Sequence, residues 1–224
     1  MNLNDFKSKL SQKWLLDGND LEKKFGELAE FLLNHVSIQK GERKYWMTDI
    51  ELYLYASNHK DIITYPRDCK AGQWFFHPSG VDISFESKVN MKVKPSTKRA
   101  MPYLTESSVF GGILIRGIKL ARGEHTINEE TRCFNGPMIV CGELFDMFDA
   151  FGEIKNFPKL QMNGHCNHNV INSSPRARLK RKDKTIKQKV DSILINNYSG
   201  NDIEKDLLYE GFKNYLDSKY RFYL

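Results

Sequence analysis

The sequence predicts a mixed α+β fold in one domain, and three observations carry that prediction. Leu21, Phe25, Leu28 and Leu32 recur at helical spacing, with Val36 extending the series. Residues 43–55 and 110–120 are dense in aromatic and β-branched side chains, as strands are. The length, 224 residues, suits a single domain with a substantial core. With 40% hydrophobic and 12% aromatic residues, the chain has the large apolar side chains that disordered chains lack.

The helix is expected to begin at Asn19, a capping residue with Glu22 three positions on. RKYWMTDIELYLY at 43–55 reads as a strand. Simple alternation puts Trp46, Thr48, Ile50 and Leu52 on one side and Met47, Asp49, Glu51 and Tyr53 on the other, so two carboxylates face the same way. GQWFFHPSGVDISF at 72–85 reads as a hairpin turning at Pro78-Ser79-Gly80, in which Trp74 and Phe76 share a face and Phe75 takes the other. Residues 88–105, with Lys88, Lys92, Lys94, Lys98 and Arg99, read as an exposed basic loop. FGGILIRGIKL at 110–120 is the clearest buried strand, interrupted by Arg116, whose guanidinium needs partners if buried. Residues 135–151 read as a turn and an amphipathic helix packed through Val140, Leu144, Met147, Phe148 and Phe151. A last helix is expected at about 203–216, followed by YRFYL as a short strand.

The formal charge of +6 favours an anionic partner without requiring one. Arg176, Arg178, Lys180, Arg181 and Lys182 form the densest basic cluster, suited either to a solvated surface or to phosphate contact; the same two readings hold for Lys98 and Arg99. Charges interrupt every apolar run long enough to span a membrane, and no signal-peptide pattern opens the chain. Cys69, Cys133, Cys141 and Cys166 are irregularly spaced, which fits reduced thiols in an intracellular compartment better than a disulfide framework or, with His165 and His168, a zinc site. Neither a phosphate-loop nor a dinucleotide-binding pattern occurs.

Several segments resemble, in the same order, the alkyladenine or 3-methyladenine DNA glycosylase family, of the single-domain type without a helix-hairpin-helix. Asp49-Ile-Glu51-Leu-Tyr53 is similar to that family's E-x-E-x-Y strand, with His59 matching the histidine that follows. Gly72 to Ser84 resembles its G-x-L-Y-x-Y hairpin and N-I-S ending, and Gly111 to Gly123 its VLLRALEPLEG strand. Cys133 to Leu144 resembles its C-x-G-P helix entry, Ser174-Pro175-Arg176 its late PR segment, and Tyr220 to Tyr223 its LRFYV end. Each motif is short; their shared order from about residue 20 onward carries the resemblance.

The resemblance implies a curved, mainly antiparallel sheet with flanking helices over residues 1–224, with a basic insertion at 86–108. It implies a monofunctional DNA glycosylase with Glu51 as the water-activating base and Arg116 beside it. Tyr53, His59, Trp74, Phe76 and Asp82 would surround the flipped base. His77 and Ser79, with Lys98, Arg99, Arg176, Arg178 and Lys180, would meet the DNA. Two positions depart from the family: Ser79 stands where a wedge residue enters the duplex, and Asp82 where an asparagine shapes the pocket. The implied partner is damaged DNA, duplex or single-stranded, handled by an intracellular monomer, cytoplasmic or nuclear, without a cofactor. Two alternatives stay open: a protein that binds distorted nucleic acid without chemistry, and a hydrolase of free modified nucleosides.

Overall fold

A computed structural model describes residues 1–18, 20–121, 132–146, 148, 151, 156–163, 168–177 and 185–224. Three helices lead, α1 (Leu3–Lys9), α2 (Gln12–Leu16) and α3 (Leu21–His35), followed by strands β1 (Val36–Lys40), β2 (Arg43–Ala56), β3 (His59–Lys60), β4 (Trp74–His77), β5 (Gly80–Ser84), β6 (Asn90–Val93), β7 (Ala100–Leu104), β8 (Phe110–Leu120) and β9 (Cys133–Asn135). Then come α4 (Pro137–Leu144), β10 (Lys159–Met162), β11 (Asn172–Ser174), α5 (Ile186–Asn197), β12 (Gly200–Asn201), α6 (Lys205–Tyr215) and β13 (Arg221–Tyr223).

The main sheet runs β10-β1-β2-β8-β5-β4, with β13 and β3 added along β2, β11 beyond β13, and β9 along β8. Its pairings are antiparallel. On one face, Ile50 and Leu52 of β2, Ile113 and Ile115 of β8 and Ile83 of β5 are buried with Phe25, Leu28 and Leu32 of α3. This single-domain, mixed α/β arrangement of an antiparallel sheet with flanking helices is the coarse fold read from the sequence. A second apolar cluster joins Tyr55, Ile62, Leu104 and Phe110 to Val190 and Leu194 of α5 and Leu208 and Phe212 of α6. No helix among the described residues is long and apolar enough to cross a membrane.

Four local readings change. The cap of α3 is Asp20, whose carboxylate accepts the Lys23 amide at 3.1 Å; Asn19 lies outside the described residues. The basic segment at 88–105 is not a loop but mainly the hairpin β6–β7, whose first strand is exposed along its length and to whose second strand β12 adds in parallel. Helix α4 ends at Leu144; Val140 and Leu144 are buried as expected, but Phe148 and Phe151 are exposed and Met147 lies outside the described residues. Helix α5 is not among the elements expected from the sequence, although Thr185 and Gln188 form a capping box at its start.

Candidate functional site

The key local event is a pair of compensating bulges where β2 meets β8. Met47 pairs with Ile118, Asp49 with Gly117, and Ile50 with Ile115, so Thr48 on β2 and Arg116 on β8 each drop out of the ladder. Bulges re-aim side chains and switch the faces of alternation. Met47 therefore shares the core side with Ile50 and Leu52, which corrects the simple parity reading, while Asp49 and Glu51 both face away from it. The Arg116 carbonyl, freed from β2, accepts the amide of Gly136 at 2.7 Å. Gly136 takes φ +113°, a conformation that favours glycine, and so turns the chain into α4.

Released in this way, Arg116 reaches both acids, with Nη1 at 3.3 Å from Glu51 Oε2 and Nε at 3.5 Å from Asp49 Oδ2. Arg221 of β13 forks onto Asp49 at 2.8 and 3.0 Å. Glu51 exposes no surface. Its Oε2 also accepts the Tyr53 hydroxyl at 2.7 Å, and its Oε1 accepts the Ala177 amide at 2.6 Å. Burial, reinforced by the Glu51 charge, pushes the Tyr53 phenol well above its ordinary range, which keeps it a donor. A carboxylate offers about four acceptor positions, and these three donors leave one on Oε1.

The same row continues across the sheet. Glu51 pairs with Leu114, Leu114 with Asp82 of β5, and Asp82 with Phe75 of β4, so these four side chains share one face. Asp82 is buried between Arg67 Nη2 at 2.7 Å and His77 Nε2 at 2.9 Å. Burial alone would raise the Asp82 pKa, but Arg67 and His77 outweigh it and hold the carboxyl below its ordinary value. The Arg67 guanidinium lies 3.8 Å from the centre of the Phe75 ring.

Arg176 anchors the other flank. It pairs with the buried Asp61 at 2.5 Å, donates to the Tyr215 carbonyl at 3.1 Å, and lies 4.6 Å from the Tyr53 ring centre. Burial lowers the Arg176 pKa, yet Asp61 more than reverses this. Beyond Arg176, His59 engages the Leu54 carbonyl through Nδ1 at 2.7 Å and the Tyr220 hydroxyl through Nε2 at 3.1 Å, and stacks on Tyr215 at 3.7 Å. Burial lowers its pKa, so the neutral ring donates from Nδ1 and accepts at Nε2.

Of the expected site residues, the structure brings together Glu51, Arg116, Tyr53 and, along the row, Asp82. Others lie elsewhere. Trp74 and Phe76 pair with Ile83 and Val81 and so lie on the opposite face, where Trp74 packs against the core and Phe76 is exposed, because the register with β8 turns Phe75 rather than Phe76 toward Glu51's face. There Trp74 donates to the Pro158 carbonyl at 3.1 Å and Phe76 meets Phe145 edge-on at 4.7 Å. His59 lines a separate cavity of about 460 Å³ with Tyr215, Tyr220 and the α2–α3 connection. Arg176 and His77 are not surface groups for DNA: their side chains are 1% and 4% exposed and committed to Asp61 and Asp82. Ser79 is at the exposed hairpin tip, 3.2 Å from the Tyr65 hydroxyl. Lys98 and Arg99 are exposed at the β6–β7 turn. Arg178, Lys180 and Cys166 lie outside the described residues.

Sequence reasoning missed Arg67, Asp61, Phe75 and the Ala177 amide. Arg67 and Asp61 sit in a connection without periodicity, and only the charge of Asp82, which demands a partner when buried, pointed toward the former. No protein-family model, curated protein or solved structure matches the chain.

Proposed function

We propose that this protein is a monofunctional DNA glycosylase that hydrolyses the N-glycosidic bond of a damaged purine. The observation that supports this reading most is the placement of Glu51 and Arg116 side by side on one face at the paired bulges, in the order along the chain that the motif resemblance leads one to expect. As the bond to the base breaks, positive charge grows on the sugar and the bonding electrons leave with the base. The Glu51 carboxylate stabilises that charge and takes a proton from the attacking water through its remaining Oε1 position. Arg116, Tyr53 and the Ala177 amide hold the carboxylate in place. No cofactor enters this chemistry. Extrusion of the base from the stack precedes it and costs a few kcal/mol. With Ser79 rather than an apolar wedge at the hairpin tip, distorted or single-stranded DNA is the favoured substrate.

The test is incubation with single- and double-stranded DNA carrying 3-methyladenine, 7-methylguanine, hypoxanthine or ethenoadenine, scoring abasic sites. Release of at least one base is expected; release of none rejects the reading. One observation favours a second reading: Glu51 exposes no surface, and its bond to Ala177 ties the 175–177 segment to β2. In that reading the carboxylate is a structural anchor and the protein binds distorted nucleic acid without cleaving it. Salt-sensitive binding with no abasic product is its signature.

A further inference from the structure

The two ends of the main strand path, β10 and β4, do not pair with each other, yet they border one cavity beside α1. Trp74 of β4 donates its indole N–H to the Pro158 carbonyl, just ahead of β10, at 3.1 Å. The cavity measures about 300 Å³, and its walls include Leu3, Phe6 and Leu10 along α1 and its C-cap, Trp74 and Ile83 of the β4–β5 hairpin, and Leu160 of β10. Phe6, Leu10 and Ile83 are buried while Leu3, Trp74 and Leu160 are half-buried, so the apolar lining runs from the core out to the surface. Lys7 and Lys159 are the only charged residues in that lining, and neither has an ion-pair partner among the described residues. The Lys7 stem runs past Gly72: a Cβ added there would lie 3.8 Å from Cγ and 4.0 Å from Cε. Its methylenes therefore extend the apolar wall while the exposed ammonium stays at the rim. With the Trp74 N–H already given to Pro158, the two ammonium groups are the polar side-chain groups left open among the described lining residues.

We propose that this cavity binds the alkyl tail of a medium-chain carboxylate, with the carboxylate held at Lys7 and Lys159. The site lies on the face of the sheet opposite Glu51 and does not depend on the glycosylase reading. Its volume is at the small end of ligand cavities, which suits a single chain. The walls select the tail by removing it from water, a gain of about fourfold in affinity for each methylene covered. They offer no acceptor or free donor to orient a polar ring. Lysine ammonium groups are point charges on flexible stems without the planar fork of arginine, so they select the sign of the head rather than its shape. Two cations with no acid in the lining make a positive mouth, which an anionic head complements and a cationic head does not.

The experiment titrates the full chain with octanoate, decanoate and dodecanoate, each below its micelle concentration, and with decyltrimethylammonium, which keeps the decyl tail and reverses the charge of the head. One carboxylate should bind per chain, with affinity rising about fourfold per methylene until the tail fills the cavity. Decyltrimethylammonium should bind about tenfold more weakly than decanoate, or worse. The double variant Lys7→Gln with Lys159→Gln should weaken decanoate binding by about threefold to tenfold, as the loss of exposed charge pairs does, and bring the two heads toward equal affinity. Leu3→Trp, which places a larger ring at the half-buried entrance, should abolish binding in a protein that still unfolds cooperatively in urea. No saturable binding of decanoate, binding that ignores chain length, a preference for the cation, or affinity unchanged in folded Leu3→Trp overturns the assignment. A dimer in sedimentation that excludes decanoate also overturns it and gives the cavity to a second copy. Retention on phosphatidylglycerol vesicles without binding of monomeric decanoate overturns it in favour of a lipid surface.

Discussion

Glu51 and Asp82 occupy the same row of the sheet on either side of Leu114, both buried, yet they are held in opposite ways. Asp82 is closed between an arginine at 2.7 Å and a histidine at 2.9 Å. Glu51 receives its shortest bonds from neutral groups, a backbone amide at 2.6 Å and a phenol at 2.7 Å, while its arginine stands off at 3.3 Å and divides its reach with Asp49. The difference separates two tasks that a carboxylate can perform. A tightly ion-paired group has given its charge to the fold. A carboxylate steadied mainly by neutral donors retains an acceptor position, the one on which the proposed reaction would draw.

The sharpest way to break this comparison is to neutralise each carboxylate in turn. Glu51→Gln should reduce base release by about 10²–10⁴-fold, the usual contribution of a positioned general base. Undiminished release would remove Glu51 from the chemistry. Asp82→Ala should instead be felt in stability, losing about 3–5 kcal/mol because Arg67 is left as an uncompensated buried charge; urea unfolding of the two variants checks the contrast. If Asp82→Ala unfolds at the wild-type urea midpoint, the structural role assigned to that pair is wrong.

Acid titration separates the polar clusters next. The folded Asp82 pKa is depressed, so its stabilisation is present above the unfolded carboxylate value of about 3.9 and is lost as pH falls through the lower folded value. His59 acts at higher pH. Its folded pKa is also depressed, here because burial opposes the charged ring, so the unfolded chain binds the proton first. The stabilisation from neutral His59 is complete above about pH 6.5 and declines as pH falls toward the folded value. Thermal melts of the wild type between pH 7 and 5 should show this decline, and His59→Gln should flatten it. An unchanged slope in the variant would mean that another group titrates.

Much of the scaffold was legible in the sequence, since β2, β8, the 74–84 hairpin and α3 announce themselves through apolar density and period. The orientation of Asp49 and Glu51 to one side was legible too, because residues two apart on a strand share a face. The bulges were not: neither Thr48 nor Arg116 is a residue type that marks one, and only the register between two distant segments exposes them. The same register decides which of Phe75 and Phe76 looks toward Glu51. Alternation shows that they oppose each other, but the neighbour strand settles which is which. Arg176 misled for a related reason. A basic cluster reads as surface until a buried acid is found for one of its members, and Asp61 lies 115 positions away in the chain.

The smallest expected effect concerns the residues that remain at the surface. Lys98 and Arg99 sit at the exposed turn of β6–β7, in the smaller three-stranded sheet rather than the one that holds Glu51. Replacing them together with alanine should leave stability within about 0.5 kcal/mol, since neither is buried. If they track the backbone of a bound strand, the slope of log affinity against log salt should become shallower by roughly one for each phosphate left unneutralised, with little change in which base is preferred. A slope unchanged in the double variant would place the DNA path away from this hairpin and toward the rim formed by Arg116 and Arg221, where partly exposed cations already border the Glu51 face. That outcome would also remove the reason for treating residues 86–108 as part of the nucleic-acid surface, leaving β7 the narrower role of pairing with β12 and packing Leu104 into the cluster that holds Val190 and Leu194 of α5.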